Sequence, residues 1–155
     1  MVAANRVFDR LLEAGIEVPP PPAPVGRYVP AIRVGSLIYT SGQLPVRDGV
    51  LVAKGAVGVA LSIEDAVECA RLCAINCLVA ASTVCDLDKQ VHPVKLVGYV
   101  ASTPDFTQHP AVIDGASEVL GIAFGQAGLH AREAVGVASL PLGAPVEVSL
   151  ILAVE

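Results

Sequence analysis

The segment PVEVSLILAVE, residues 145–155, alternates between apolar side chains and other side chains with a period of two. This period is typical of a β-strand that buries one face. Glu147 and Ser149 fall on the other face, together with Ile151 and Ala153. The residues predicted to share the buried face are Val146, Val148, Leu150, Leu152 and Val154.

Two further strands and a helix are predicted upstream of this segment. EAVGVASLP (133–141) is a strand joined to it by a Pro-Leu-Gly-Ala-Pro connection, and PVKLVGYVAST (93–103) is a buried strand. Between these two strands, residues 110–128 have a helical pattern, with Gly125 or Gly128 near its end.

The longest helical pattern lies at residues 61–87, with Ser62 as the N-cap. Its predicted inner face consists of small residues: Ala66, Ala70, Cys73, Ala74 and Cys77. Before it come strand-like segments at 28–35, 36–45 and 46–52, the last with a hairpin turn at Asp48-Gly49.

The chain begins with a predicted amphipathic helix over residues 2–15 and a proline-rich strap that cannot be helical. We therefore divide it into residues 1–24, the helix and strap, and residues 25–155, the main domain. In the main domain the order is strands, helix, strand, helix, strands. This order predicts an α+β fold with two helices packed on one face of a mixed sheet.

The composition restricts the class of function. Hydrophobic residues make up 54% of the chain and charged residues only 16%, which favours burial of apolar surface between subunits. No apolar run is long enough to span a membrane and no export signal is recognisable, so a cytoplasmic protein is expected. A net charge of −5, scattered cations and 4% aromatic residues argue against nucleic-acid binding.

No cofactor is expected. Nucleotide-binding and nucleophile-elbow motifs are absent from the sequence. Cys69, Cys73 and Cys77 are spaced four apart without a nearby histidine, so they are read as small core residues and not as metal ligands. His92, His109 and His130 are too dispersed to form a ligand set.

Arg132 is the single Lys or Arg between Leu96 and Glu155. Its planar guanidinium can bind a carboxylate with two hydrogen bonds. The alternative is an ion pair with Glu133, Glu118 or an acid of another subunit, and spacing alone does not decide between the two.

Two other groups of polar residues stand out. Glu147 is either a partly desolvated carboxylate suited to proton transfer or a solvated carboxylate at the rim of the sheet. Thr40, Ser41 and Gln43 surround Gly42 and either cradle a small anion or form an ordinary turn. Asp114 and Ser117 are explained equally well by their place near a helix N-terminus.

Three segments together resemble the RidA/YjgF/UK114 family, whose members were once described as L-PSP endoribonucleases. They are GRYVPAIRVGSLIYTSGQLP (26–45), the helix that follows, and HAREAVGVASLPLGAPVEVSLILA (130–153). The paired motifs TSGQ and AR-x-x-V…LP…VEV lie about ninety residues apart. The resemblance covers roughly residues 25–154, and the N-terminal helix and strap are similar to those of a longer subgroup.

The resemblance implies a chorismate-mutase-like fold and a homotrimer with its sheets in an inner barrel and its sites between subunits. It also implies hydrolysis of enamine or imine acids, of the 2-iminobutanoate and 2-iminopropanoate type, to 2-oxo acids and ammonia. Arg132 matches the carboxylate-binding arginine and Glu147 the acid that handles water. Further matches to the substrate pocket are Tyr28, Ser41, Gly42 and Asp114.

Three residues depart from the family pattern. Asp114 replaces an asparagine and would place a negative charge near an anionic substrate. Glu133 replaces a small residue next to Arg132, although alternation along the strand should point it away. His130 replaces a proline of the shorter members.

Three functions follow as alternatives. The first is the deaminase, and the second is a non-enzymatic trimer that binds a small carboxylate or a protein partner in the same clefts. The endoribonuclease role of the older family name is the weakest because the chain is acidic and lacks a basic patch.

Overall fold

Five strands form one mixed sheet in the computed structural model, which describes residues 6–21, 23 and 26–155. The strands of this sheet are β1 (Ala31–Val34), β2 (Leu37–Thr40), β5 (Val91–Ala101), β6 (Ala131–Val137) and β7 (Val146–Val154). A short hairpin is made by β3 (Val46–Arg47) and β4 (Val50–Leu51). The helices are α1 (Val7–Glu13), α2 (Ile63–Ser82) and α3 (His109–Phe124).

The sheet has the order β1-β2-β7-β5-β6. Strand β6 runs parallel to β5, and the other neighbouring pairs are antiparallel. The last strand of the chain therefore lies at the centre, and β6, which carries Arg132, lies at one edge. The sequence predicted a mixed sheet, and this is confirmed, but it did not predict the order of the strands.

Helices α2 and α3 cover one face of the sheet, as predicted. All five residues of the predicted inner face of α2 are fully buried, and so are Val146, Val148 and Leu152 of β7. The Cys73 thiol contacts the Val146 carbonyl at 3.6 Å and the Cys77 thiol contacts the Val148 carbonyl at 3.2 Å. These thiols therefore fill the interface between helix and sheet.

Burial makes the cysteines of α2 unreactive at neutral pH. It raises the pKa of the Cys77 thiol to about 12 and that of Cys69 to about 11, and it places the pKa of Cys73 well above its ordinary value. The described part of the chain also contains no group of three His, Cys, Asp or Glu side chains that could hold a metal ion.

Most predicted element boundaries agree with the structure within a few residues. Ser62 caps α2 by accepting a hydrogen bond from the Asp65 backbone N–H. The hairpin is also confirmed, with Asp48 and Gly49 both at positive φ, as a type I′ turn requires. The helix predicted to Leu87 ends at Ser82, five residues early.

Helix α1 packs against α3. Leu11 is fully buried, and the Arg10 guanidinium donates a hydrogen bond to the Ala123 carbonyl at 3.2 Å. The prediction of a helix over residues 2–15 is met from Val7 to Glu13, and residues 2–5 lie outside the described part of the chain. The described residues of the proline strap form neither helix nor strand, while Pro22 and Pro24 are not described.

The second face of the sheet is not covered by any described element of this chain. Its exposed apolar side chains are Ile32, Val34, Tyr39 and Val135. We call this surface the open face. Among the described residues, no helix has the length and apolar character needed to cross a membrane.

Gly115 lets α3 approach α2 closely. A Cβ atom at this position would overlap the Val67 carbonyl and lie 2.9 Å from Cγ1 of Val67. We therefore expect Gly115→Ala to lower the free energy of unfolding by about 1–3 kcal/mol, because the overlap outweighs the better helix propensity of alanine.

Gly121 on the same helix is the matched control, since a Cβ there meets nothing within 4 Å. Gly121→Ala should stabilise the protein by about 0.5–1 kcal/mol. Urea unfolding of both variants measures the difference, and equal effects at the two positions would contradict the close approach.

Candidate functional site

Glu147 projects from the central strand β7 onto the open face. It lies opposite Tyr99 of β5 in the register of the sheet. Both side chains line a cleft of about 420 Å³. The cleft is completed by Thr40, Gly42, Leu140 and Ser149.

The Glu147 carboxylate packs directly against the backbone of Gly42. A Cβ atom on Gly42 would overlap this carboxylate, so the carboxylate would have to move if this residue carried a side chain. Burial raises the pKa of Glu147 above its ordinary value of 4.5. The Glu147 side chain is half-buried, and among the described residues no Lys, Arg or His forms a salt bridge with it.

Hydrogen bonds to two other segments hold the residues that follow β2. The Ser41 hydroxyl donates to the Val29 carbonyl at 2.6 Å, and the Ser41 backbone N–H donates to the Pro30 carbonyl at 2.8 Å. Gln43 exchanges backbone hydrogen bonds with Val148 of β7. The Ser41 hydroxyl is therefore engaged by a segment twelve residues upstream, and these hydrogen bonds hold the residues that bring Gly42 to Glu147.

Tyr28 directly precedes Val29, whose carbonyl accepts the hydrogen bond from the Ser41 hydroxyl. Its side chain is 57% exposed and does not line the Glu147 cleft within one chain. A role for Tyr28 in the pocket remains a prediction, and it would require a surface outside the single chain.

Arg132 projects from the edge strand β6 toward α3. It pairs in register with Leu96, whose side chain is fully buried on the helix-covered face. Its Nη1 donates to Oδ1 of Asp114 at 2.7 Å and to the Ser117 hydroxyl at 3.2 Å. The arginine side chain is 25% exposed and that of Asp114 is 69% exposed.

The acids that the sequence suggested as partners of Arg132 bind other cations. Glu133 lies on the open face, as alternation predicted, and binds Nζ of Lys95 at 2.5 Å. Glu118 binds Arg71 at 2.5 Å. The ion pair of Arg132 is made with Asp114 instead, because the two residues meet across the α3–β6 interface.

Ser117 links Arg132 to His130. The Ser117 hydroxyl lies 3.0 Å from Nε2 of His130, and Nδ1 of His130 lies 2.7 Å from the Gly128 carbonyl. Nothing in the sequence pattern connects His130 with Arg132. Their connection arises because the strand β6 begins where α3 and its following turn return to the sheet.

Two groups of candidate residues thus emerge, on opposite faces of the sheet. Asp114 and Arg132 meet on the helix-covered face, whereas Gly42 and Glu147 meet on the open face. Side chains on opposite faces of a β-sheet point away from each other. One chain alone therefore does not bring Arg132 and Glu147 together.

The cleft also contains a residue that the sequence reasoning did not select, Tyr99. The strand pattern of 93–103 placed it on a buried strand, and its relation to Glu147 depends on the register between β5 and β7. The feature of the sequence that could have identified Tyr99 is its phenol side chain within a mostly apolar strand.

Comparisons with known proteins agree on one family. The model of the YjgF/chorismate mutase-like endoribonuclease family matches residues 8–153. Protein TCP17 of Trypanosoma cruzi is 38% identical over 98% of this chain and 96% of its own length. A 2-iminobutanoate/2-iminopropanoate deaminase of Dermatophagoides farinae is 33% identical over 90% of this chain and 95% of its own length.

Two solved structures extend the comparison. Atu1372 of Agrobacterium tumefaciens, a protein of unknown function, has a TM-score of 0.87 and 39% identity, with 98% of this chain and 95% of that chain covered. Escherichia coli TdcF with bound serine has a TM-score of 0.62 and 25% identity, with 89% and 94% covered. The match along almost the whole chain, in sequence and in fold, shows that the protein belongs to the RidA/YjgF family.

Proposed function

We propose that the protein is an enamine/imine deaminase that hydrolyses 2-imino acids of the 2-iminobutanoate and 2-iminopropanoate type to 2-oxo acids. The observation that carries this proposal is the Glu147 carboxylate, half-buried in a cleft with a raised pKa. A carboxylate whose pKa is raised by burial is a candidate for proton transfer. The 33% identity to the mite deaminase over most of both chains supports the same reaction.

In the proposed reaction, Arg132 binds the carboxylate of the substrate with two parallel hydrogen bonds. This fixes the position of the electrophilic C=N carbon relative to water. Glu147 takes a proton from the water as its oxygen bonds to that carbon, and a proton then passes to the nitrogen. Cleavage of the C–N bond releases ammonia and leaves the 2-oxo acid. These steps require no metal or organic cofactor.

The proposal includes a homotrimer in which Arg132 of one copy faces Glu147 of a neighbour. The two side chains point from opposite faces of one sheet, so a site that uses both needs a second copy. The open face supports such an assembly, because its exposed apolar side chains would be covered by a partner.

A second candidate function is binding of a small carboxylate without turnover. The bound serine in TdcF favours it, since an amino acid carries the carboxylate that Arg132 would bind. In this case Glu147 would be dispensable for binding.

We expect Arg132→Ala to lower kcat/KM for imine hydrolysis about 10²-fold, because two hydrogen bonds to a charged group together contribute about 3 kcal/mol. Ammonia release is measured on imines that an L-amino acid oxidase generates in situ from alanine and 2-aminobutyrate. Arg47→Ala, an exposed arginine of the β3–β4 hairpin, is the matched control and should retain full activity. Equal rates for the two variants would remove Arg132 from the mechanism.

The pH dependence of kcat/KM should report the proton of Glu147. Because burial raises its pKa, the reactive carboxylate should be lost on acidification at a pH above 4.5, earlier than for an ordinary glutamate. Glu147→Gln should remove this acidic limb together with most of the activity, and Gly42→Ala should lower the activity because it displaces the carboxylate. An unchanged limb in Glu147→Gln would assign the titration to another group.

A trimer should have three times the mass of the chain in light scattering. Val135→Asp places a charge on the open face and should shift the mass toward one chain. Leu12→Asp on the exposed side of α1 is the control and should leave the mass unchanged. A monomeric wild type would contradict the shared site.

A further inference from the structure

Both hydrogens on Nη1 of Arg132 are already engaged within the chain. One is donated to Oδ1 of Asp114 at 2.7 Å and the other to the Ser117 hydroxyl at 3.2 Å. Within the described part of the chain, Nη2 and Nε have no hydrogen-bond partner. A ligand carboxylate is therefore left with the edge of the guanidinium formed by Nε and Nη2, while Asp114 occupies Nη1 of the same guanidinium.

The orientation of this edge is held by a chain of hydrogen bonds. The Gly128 carbonyl can only accept, so His130 donates to it from Nδ1 at 2.7 Å and its Nε2 is the acceptor. Ser117 then donates to Nε2 at 3.0 Å and accepts from Arg132. Ser117 is thus held in turn by His130, and this restrains the position of Nη1.

Asp114 changes the charge that a ligand meets at this edge. Its carboxylate neutralises the guanidinium, and its 69% exposure leaves the second oxygen accessible. A ligand with a carboxylate alone would be repelled by this neighbouring negative charge. A ligand that also carries a positive nitrogen on the adjacent carbon would be attracted to it.

We propose that Asp114 is a specificity-determining residue that selects ligands with a cationic nitrogen beside the carboxylate and disfavours simple carboxylates. The inference rests on the proposed function in one respect, the assignment of Arg132 to the ligand carboxylate. It adds the charge class of the ligand and a residue that recognises it.

The proposed reaction changes this charge class. A protonated 2-imino acid carries no net charge, and water converts it to a 2-oxo acid anion and an ammonium ion. Asp114 would thus attract the substrate and repel the organic product from the same edge of Arg132. This difference favours release of the 2-oxo acid after the C–N bond is broken.

The test compares two ligands of similar size, L-alanine and pyruvate, by titration calorimetry at neutral pH. The wild type should bind alanine about tenfold more tightly than pyruvate. Asp114→Asn keeps an oxygen that accepts from Nη1 but removes the charge, and it should abolish this preference, mainly through tighter binding of pyruvate. Pyruvate should also become a stronger inhibitor of imine hydrolysis in this variant.

Glu118→Gln is the matched control, because Glu118 is an exposed acid on the same helix that binds Arg71 and not Arg132. It should preserve the ratio of the two affinities, and thermal unfolding of both variants confirms that they fold. The inference is wrong if the ratio is the same in wild type and Asp114→Asn, or if the wild type binds pyruvate as tightly as alanine or binds neither ligand.

The test separates this inference from the proposed function. Imine hydrolysis with an unchanged ratio of affinities would overturn the role of Asp114 and leave the deaminase intact. A ratio that changes as expected, without hydrolysis of any imine, would support the role of Asp114 and overturn the deaminase.

Discussion

The burial of one face of β7 against α2 decides where every candidate residue points. Val146, Val148 and Leu152 are fully buried beneath the helix, so Glu147 must emerge on the open face. The pairing registers of β7 with β5 and of β5 with β6 place Arg132 on the helix-covered face, where it points toward α3. A shift of the register by one residue would exchange the two faces and reverse both side chains.

This arrangement keeps the acid and the guanidinium apart within the chain. Glu147 is held against Gly42, and its pKa rises because burial leaves the charged form poorly solvated. Arg132 is instead held by hydrogen bonds to Asp114 and Ser117. In the proposed trimer a subunit boundary would join these two places.

The ion pair between Arg132 and Asp114 gives a physical meaning to one departure from the family pattern. An asparagine at this position could accept the same hydrogen bond without adding a charge. The proposed role of the aspartate is to place a negative charge near the ligand carboxylate, where it would affect which ligands bind. The departure at Glu133 has no such effect, because the open face and Lys95 hold that carboxylate away from Arg132.

The sequence by itself determined the elements, the covered face of β7, the inner face of α2 and the residue types able to bind a carboxylate and move a proton. These depend on local periodicity and on side-chain chemistry, and both can be read from the amino-acid sequence. The tertiary structure alone decided the central place of β7, the partner of Arg132 and the overlap of Gly42 with Glu147. Each of these is a contact between segments distant along the chain, and spacing cannot reveal a contact that depends on strand order and register.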